Sequence, residues 1–394
     1  LIMKKNFKVG LHLFYAVTFL SINNAWAEVN ISADVIKVES PLKMDNMSLG
    51  KTLEKKQIVR SAVDSSDAGS LLNYFVGTNN ISNAGASGMP VIHGLADDRI
   101  KVRVDGVDLI SGCASHSNSP FSYIDINNVD EIKVFAGITP VSMGGDSIGG
   151  TVIVNSKAPE YSESSEVIKK GSFGTIYRSN NQSFGTNINT AIATDRFSIK
   201  YSGNYIDAKN YSSAANFKAG ANVSGRGWID GDIAGSSAYK ISNHLLDFGL
   251  KKGSSEFNLK LYEQHSPYQG LINQRMDMTG NDSTSLNLMY IDQFSWGDME
   301  ARAYIESTDH SMNFGPDKKY WYSNNAAGNP MDSEGLNVGF TVKADISLDE
   351  KNILTVGSEF QRYRLDDLWA ASGTGSMSPN TFININNGAR DRYD

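Results

Sequence analysis

The sequence predicts a mainly β protein in which a small α+β domain is followed by part of an antiparallel transmembrane β-barrel. Three observations predict it. From Val129 to Ala158, two short β-patterned runs, Ile132 to Phe135 and Thr151 to Asn155, flank a connector dense in glycine, whose backbone reaches angles closed to other residues. After Pro159, apolar and polar residues alternate, as on a sheet with one apolar and one wet face. The connectors between these runs are alternately short and long. Outer-membrane barrels place short turns at one end and long loops at the other, whereas a soluble sandwich has no reason to do so.

The chain opens with the pattern of a secretory signal over residues 1–27: Lys4, Lys5 and Lys8, an apolar stretch from Val9 to Leu20, and the cleavage pattern Ala25-Trp26-Ala27. Met3 is then the start, and the mature chain begins at Glu28. Residues 28–61 lack sustained periodicity and are read as a flexible leader containing one β-prone patch, Asp34, Val35, Ile36, Lys37 and Val38. The compact domain spans 62–160. Asp67 to Tyr74, with Leu71, Leu72 and Phe75, suits a short helix, and strands are expected around Ile100 to Val104, Ile132 to Phe135 and Thr151 to Val154.

Residues 161–394 carry the barrel pattern. Phe197, Ile199, Tyr201 and Tyr205 interleave with Ser198, Lys200, Ser202 and Asn204; Leu246, Phe248 and Leu250 with Asp247, Gly249 and Lys251. Phe257, Leu259 and Leu261 repeat it, as do Met299 to Ile305 and Val338 to Ile346. Short turns are expected at 194–196, 253–254, 296–298 and 349–352, and long polar connectors at 209–239, 265–283, 310–335 and 366–389. The pattern gives about nine or ten strands. Beyond Ala27 no run approaches about 18 apolar residues, so no membrane helix is expected. Cys113 is the single cysteine and cannot close an internal disulfide, and a net charge of −7 argues against a nucleic-acid partner.

Pro90 to Val107, PVIHGLADDRIKVRVDGV, and the segment closing on Gly149-Gly150 resemble the plug domain of the TonB-dependent outer-membrane receptors. In that family a hydrophobic residue, Arg and Gly precede a VDG hairpin; here His93 stands at the Arg position. The resemblance implies an outer-membrane location and energised uptake of a scarce ligand. It makes Asp34 to Val38 a TonB box, which recruits a TonB-type energy-coupling protein by strand addition. Receptors of this class have about twenty-two strands, so the chain is read as a truncated receptor. The implied role is transport and not enzymatic, with outer-membrane lipid and a metal or metal chelate as partners, and with no cofactor required.

A narrower similarity concerns the ligand. Cys113-Ala114-Ser115-His116-Ser117 and His310-Ser311-Met312 resemble the Cys-x-x-x-Met and His-x-Met signature of the TonB-dependent copper receptors. Ser117 stands where that family carries Met, and His116 is a substitute donor beside it. Thiolate and thioether select soft copper(I), and imidazole accepts either oxidation state, so Cys113, His116, His310 and Met312 would suit copper better than hard Fe(III), the other reading being a buried small hydrophobe at Cys113 and the start of a loop at His310 and Met312. Parity agrees: if Met299 to Ile305 face lipid, then Tyr304, Glu306, Thr308, His310 and Met312 face the lumen. Met276, Met278 and Met331 are read as residues of outer loops.

Other readings stay open at this stage. A receptor for a ferric siderophore or other organic chelate would use loop aromatics such as Tyr320, Trp321 and Tyr322. A structural or adhesive barrel would need no leader. Gly145-Asp146-Ser147-Ile148-Gly149 fits the G-x-S-x-G pattern of a hydrolase elbow, but a β-prone run follows it where a helix is needed.

Overall fold

The computed structural model describes residues 50–53, 55–82, 85–144, 147–164, 166–218, 229–318, 328–372 and 390–393. The signal pattern, the Asp34 to Val38 patch and the aromatics Tyr320, Trp321 and Tyr322 lie outside them.

The N-terminal domain contains strands β1 (Gly50–Leu53), β2 (Thr78–Ser82), β3 (Gly88–Ile92), β4 (Leu95–Ala96), β5 (Ile100–Val104), β6 (Val107–Asp108), β7 (Val129–Ala136) and β8 (Gly150–Ser156). One sheet runs β1-β7-β8-β5-β6 and a smaller one β2-β3-β4. Strands β5 and β8 are parallel and the other pairs antiparallel. Helix α1 (Lys55–Asp64) lays Ile58 on the core, where it joins Leu53, Leu71, Leu72, Ile132 and Val152.

Residues 50–53 and 55–61, expected within the flexible leader, are therefore part of the folded domain. Gly50–Leu53 pairs with the edge of β7 some eighty residues on, and Lys55 Nζ donates to Val129 O at 2.6 Å. The helix expected over 67–74 is a 3₁₀ helix, Ala68–Tyr74. Asp67 caps it by accepting from Gly69 N, and the same carboxylate also holds Gly88 N and Asn80 Nδ2.

The remaining strands are β9 (Ile168–Arg178), β10 (Ser183–Ala193), β11 (Phe197–Ala208), β12 (Tyr239–Lys252), β13 (Ser255–Gln269), β14 (Asp277–Phe294), β15 (Gly297–Asn313), β16 (Met331–Ser347), β17 (Ile353–Trp369) and β18 (Arg390–Tyr393). They form one ten-stranded antiparallel meander in chain order. Its burial is inverted relative to a soluble sheet. Phe173, Ile188, Phe197, Leu288, Ile305 and Phe340 are exposed, while Asn243, Gln264, Asn281, Glu306, Asn337 and Gln361 are buried. An exposed apolar face and a covered polar one fit a wall with lipid outside and a polar filling within. Among the described residues no helix is long and apolar enough to cross a membrane.

Polar side chains of the sheet donate to backbone carbonyls of the N-terminal domain. Tyr262 Oη binds Tyr123 O at 2.7 Å and Gln264 Nε2 binds Ser122 O at 2.8 Å. Asn287 Nδ2 reaches Asp105 O, Ser333 Oγ reaches Gly112 O and Tyr363 Oη reaches Ser111 O. The segment from 105 to 123, mostly irregular apart from β6, thus finds in the sheet the partners that a buried loop lacks in itself, which fixes its path against β13 to β17.

Candidate metal centre

Segment 109–119 follows the β5–β6 hairpin and carries Cys113. A tight turn, with His116 N donating to Cys113 O at 2.9 Å, forms its tip, and Cys113 N donates to Ser111 Oγ at 3.0 Å. The cysteine is fully buried. Opposite it lies the C-terminal end of β15. Burial there alternates as parity requires: Tyr304, Glu306, Thr308, His310 and Met312 are buried while Ala303, Ile305, Ser307 and Asp309 are exposed. The strand runs on without a bulge against β16.

This parity brings residues 199 positions apart together. Cys113 Sγ lies 3.4 Å from Met312 Sδ, and Ser115 Oγ is 3.4 Å from the thiol and 3.9 Å from the thioether. His310 is buried, and its Nδ1 meets Asn281 Oδ1 at 3.0 Å. Asn281 is itself oriented, because its Nδ2 donates to Gln264 Oε1 and its Oδ1 accepts from Tyr123 Oη. The proton is thereby assigned to Nδ1, leaving the Nε2 lone pair free; Nε2 has no hydrogen-bond partner. An orphaned imidazole nitrogen beside two sulfurs is a ligand set in waiting.

Burial alone would push the Cys113 thiol up, but the His310 imidazole and the Ser115 hydroxyl outweigh it and bring it down to about 6. The centre offers a thiol, a thioether and an imidazole, the donors that soft copper(I) prefers once the thiol has lost its proton.

His116 does not face this centre. Its Nδ1 pairs with Asp97 Oδ1 at 2.7 Å and lies 3.7 Å from Asp98 Oδ1. The left-handed backbone at His116, φ 54°, directs the chain into the turn and away from a regular strand. Ser117 is nearly buried at the margin, with Oγ 3.1 Å from Ser115 Oγ and 3.4 Å from Gln274 Oε1. His93 has φ 49° and donates its amide to Gly77 O, in keeping with a structural turn. Ser147 Oγ contacts the hydroxyls of Thr139 and Thr151, and strand β8 follows it, so the hydrolase geometry is absent among the described residues.

The sequence reading missed the methionines. Met276 and Met331 are buried in one cluster with Cys113, Leu271, Met312 and Phe314, and Met278 is buried on the neighbouring strand. Met278 and Met331, expected in outer loops, lie on β14 and β16, which run past the apolar band, while Met276 stays in a connector that shrinks from the expected 265–283 to 270–276. A cavity of about 630 Å³ lies elsewhere, between the N-terminal domain and β9 to β12. It is lined by Lys55, Asp125, Lys170, Arg178 and Lys200 and by none of the sulfur donors.

An antiparallel wall, apolar outside, whose polar inner surface grips a small α+β domain has the arrangement of part of a plugged β-barrel. Residues 46–151 match the family model "TonB-dependent Receptor Plug Domain". Those residues thus match the plug of the TonB-dependent receptors, and the strands after them share the fold of part of a receptor barrel. Among solved structures it is similar to the copper transporter OprC, with TM-score 0.67 and 17% identity over 88% of this chain and 50% of that one. It is also similar to the FrpB iron transporter from Neisseria meningitidis, with TM-score 0.60 and 17% identity over 82% and 48%. The siderophore receptor PirA from Acinetobacter baumannii gives TM-score 0.58 and 14% identity over 85% and 50%. The chain spans about half the length of these structures, and what it shares with them is the fold. A search of curated proteins returns no match.

Proposed function

We propose that this chain belongs to the uptake machinery of an outer membrane, as a TonB-dependent receptor that takes copper, held as copper(I), between plug and barrel. The observation that carries the reading is the meeting of Cys113 Sγ and Met312 Sδ at 3.4 Å beside the unpartnered Nε2 of His310. Cys113 belongs to the plug and the other two to the wall. Displacing the plug would separate the donors and lower their joint affinity, so a pull transmitted through Asp34 to Val38 by a TonB-type protein would release the cargo inward.

The test is metal content. The full chain in detergent, offered copper, zinc and iron together, is expected to retain copper as parent and to lose most of it as Cys113→Ser or His310→Ala. Equal copper in all three forms would remove the assignment. Retention of an iron chelate independent of Cys113 would favour a siderophore receptor, a reading supported by the likeness of fold to PirA.

A further inference from the structure

The inner face of the sheet is polar along most of its length, yet one rung of it is made of sulfur. In the β14–β15 pairing Met278 stands opposite Met312, and in the β15–β16 pairing Met312 stands opposite Met331. All three are buried, at 2%, 2% and 0% exposure. Antiparallel partners on one rung bring their side chains side by side on the same face. The middle thioether of the row touches Cys113, and Met331 packs in the same buried cluster as both. Where apolar filling alone was needed, Leu would serve with less loss of side-chain entropy. The neighbouring inner positions on these strands, Thr308, His310 and Ser333, are polar.

Among the described residues the plug contributes one sulfur to this cluster, that of Cys113. Ser117, four residues after Cys113, carries a hydroxyl, a hard donor that a cuprous ion takes poorly and that is engaged with Ser115 and Gln274. Met276 also lines the cluster, but its Sδ accepts a hydrogen bond from Asn329 Nδ2 at 3.2 Å. Met331 has no such competitor among the described hydrogen bonds.

We propose that Met331, donated by β16 across the rung from Met312, is a further ligand of the copper(I) centre, supplying from the barrel wall the second thioether that the plug lacks at Ser117. The proposal rests on the copper reading above. It makes the site asymmetric, with one sulfur on the plug and two on the wall, so that the wall keeps a two-thioether remnant when the plug moves away. Selectivity follows as well: adding a thioether favours copper(I) over zinc, whose sites draw on thiolate, imidazole and carboxylate.

Copper(I) affinity of the full chain in detergent, measured by competition with a chromophoric cuprous chelator, tests it. Met331→Leu keeps shape and apolarity and removes only the sulfur, so it should preserve the denaturant midpoint and weaken copper(I) binding about tenfold or more. Ser117→Met in the Met331→Leu background should restore the affinity by returning the missing thioether from the plug side. Unchanged affinity in Met331→Leu, with copper lost in Cys113→Ser, would overturn this ligand assignment while sparing the copper centre. Copper retained by Cys113→Ser would overturn the centre and the inference with it.

Discussion

Lys260→Met is expected to weaken the seating of the plug by about 3–5 kcal/mol, the usual cost of leaving one member of a buried ion pair without its partner. Lys260 projects from β13 and places Nζ 2.9 Å from Asp105 Oδ2, at the VDG hairpin of the plug, with both side chains largely covered. Ser156 N and Oγ also donate to the Asp105 carboxylate, at 2.9 and 2.8 Å. Burial by itself would raise the Asp105 carboxyl, but the charge and hydrogen bond of Lys260 and the Ser156 donors hold it below the ordinary carboxylate value. Because the folded value lies below the unfolded one, this contribution is present above the ordinary carboxylate range and is lost as pH falls through the folded value. The parent should therefore loosen on strong acidification, and Lys260→Met should be loose already at neutral pH. Asp105→Asn added to Lys260→Met should recover much of the loss, since no stranded charge remains. The single cysteine reports directly: Cys113 is buried in the parent, so its alkylation rate should rise steeply in Lys260→Met and return towards the parent's in the double variant. Equal alkylation rates in parent and Lys260→Met would show that the pair does not seat the plug.

The second large effect is predicted at Gly150, the first residue of β8. Its φ is +133°, a conformation that L side chains rarely adopt, and a Cβ built there would lie 2.2 Å from Phe135 O on the paired strand. A backbone oxygen in a central sheet cannot swing aside as a side-chain tip can, so Gly150→Ala must either break the β7–β8 ladder or move it. A cost of the order of 4 kcal/mol follows from strain and clash together. Gly94 supplies the control. Its φ of +80° is also left-handed, but nothing lies within 4 Å of its Cβ position, so Gly94→Ala should cost only the backbone term, about 1–2 kcal/mol. Denaturant midpoints and Cys113 alkylation should both rank parent, Gly94→Ala and Gly150→Ala in that order. A Gly150→Ala protein as stable as Gly94→Ala would mean that the plug sheet tolerates a shift at its centre.

Much of this was legible in the sequence for a simple reason. A strand with lipid on one side and a wet filling on the other must alternate, and Phe197 to Tyr205, Leu246 to Leu250 and Met299 to Ile305 do so within the apolar band. Parity along β15 then sufficed to turn His310 and Met312 inward. Outside that band both faces are polar and the alternation fades, so the start of β14, DMTGNDSTS, looks like loop although it is paired throughout except at one bulge. The methionine rung was hidden for the same reason, because Met278, Met312 and Met331 meet only through strand registers set by turn lengths. The first described strand was hidden too: Gly50–Leu53 is a strand because β7 offers it an edge, which four residues cannot announce. His116 was misplaced because adjacency to Cys113 in sequence does not imply a shared side of a tight turn.

X-ray absorption at the copper edge of the copper-loaded full chain bears most directly on a soft-metal centre between plug and wall. A first shell dominated by sulfur at about 2.3 Å, with a single imidazole nitrogen, in a reduced ion is the expected spectrum. A shell of nitrogen and oxygen alone, unchanged by Cys113→Ser, would mean that Cys113 and Met312 meet for packing and that copper is not what the plug and the wall hold between them.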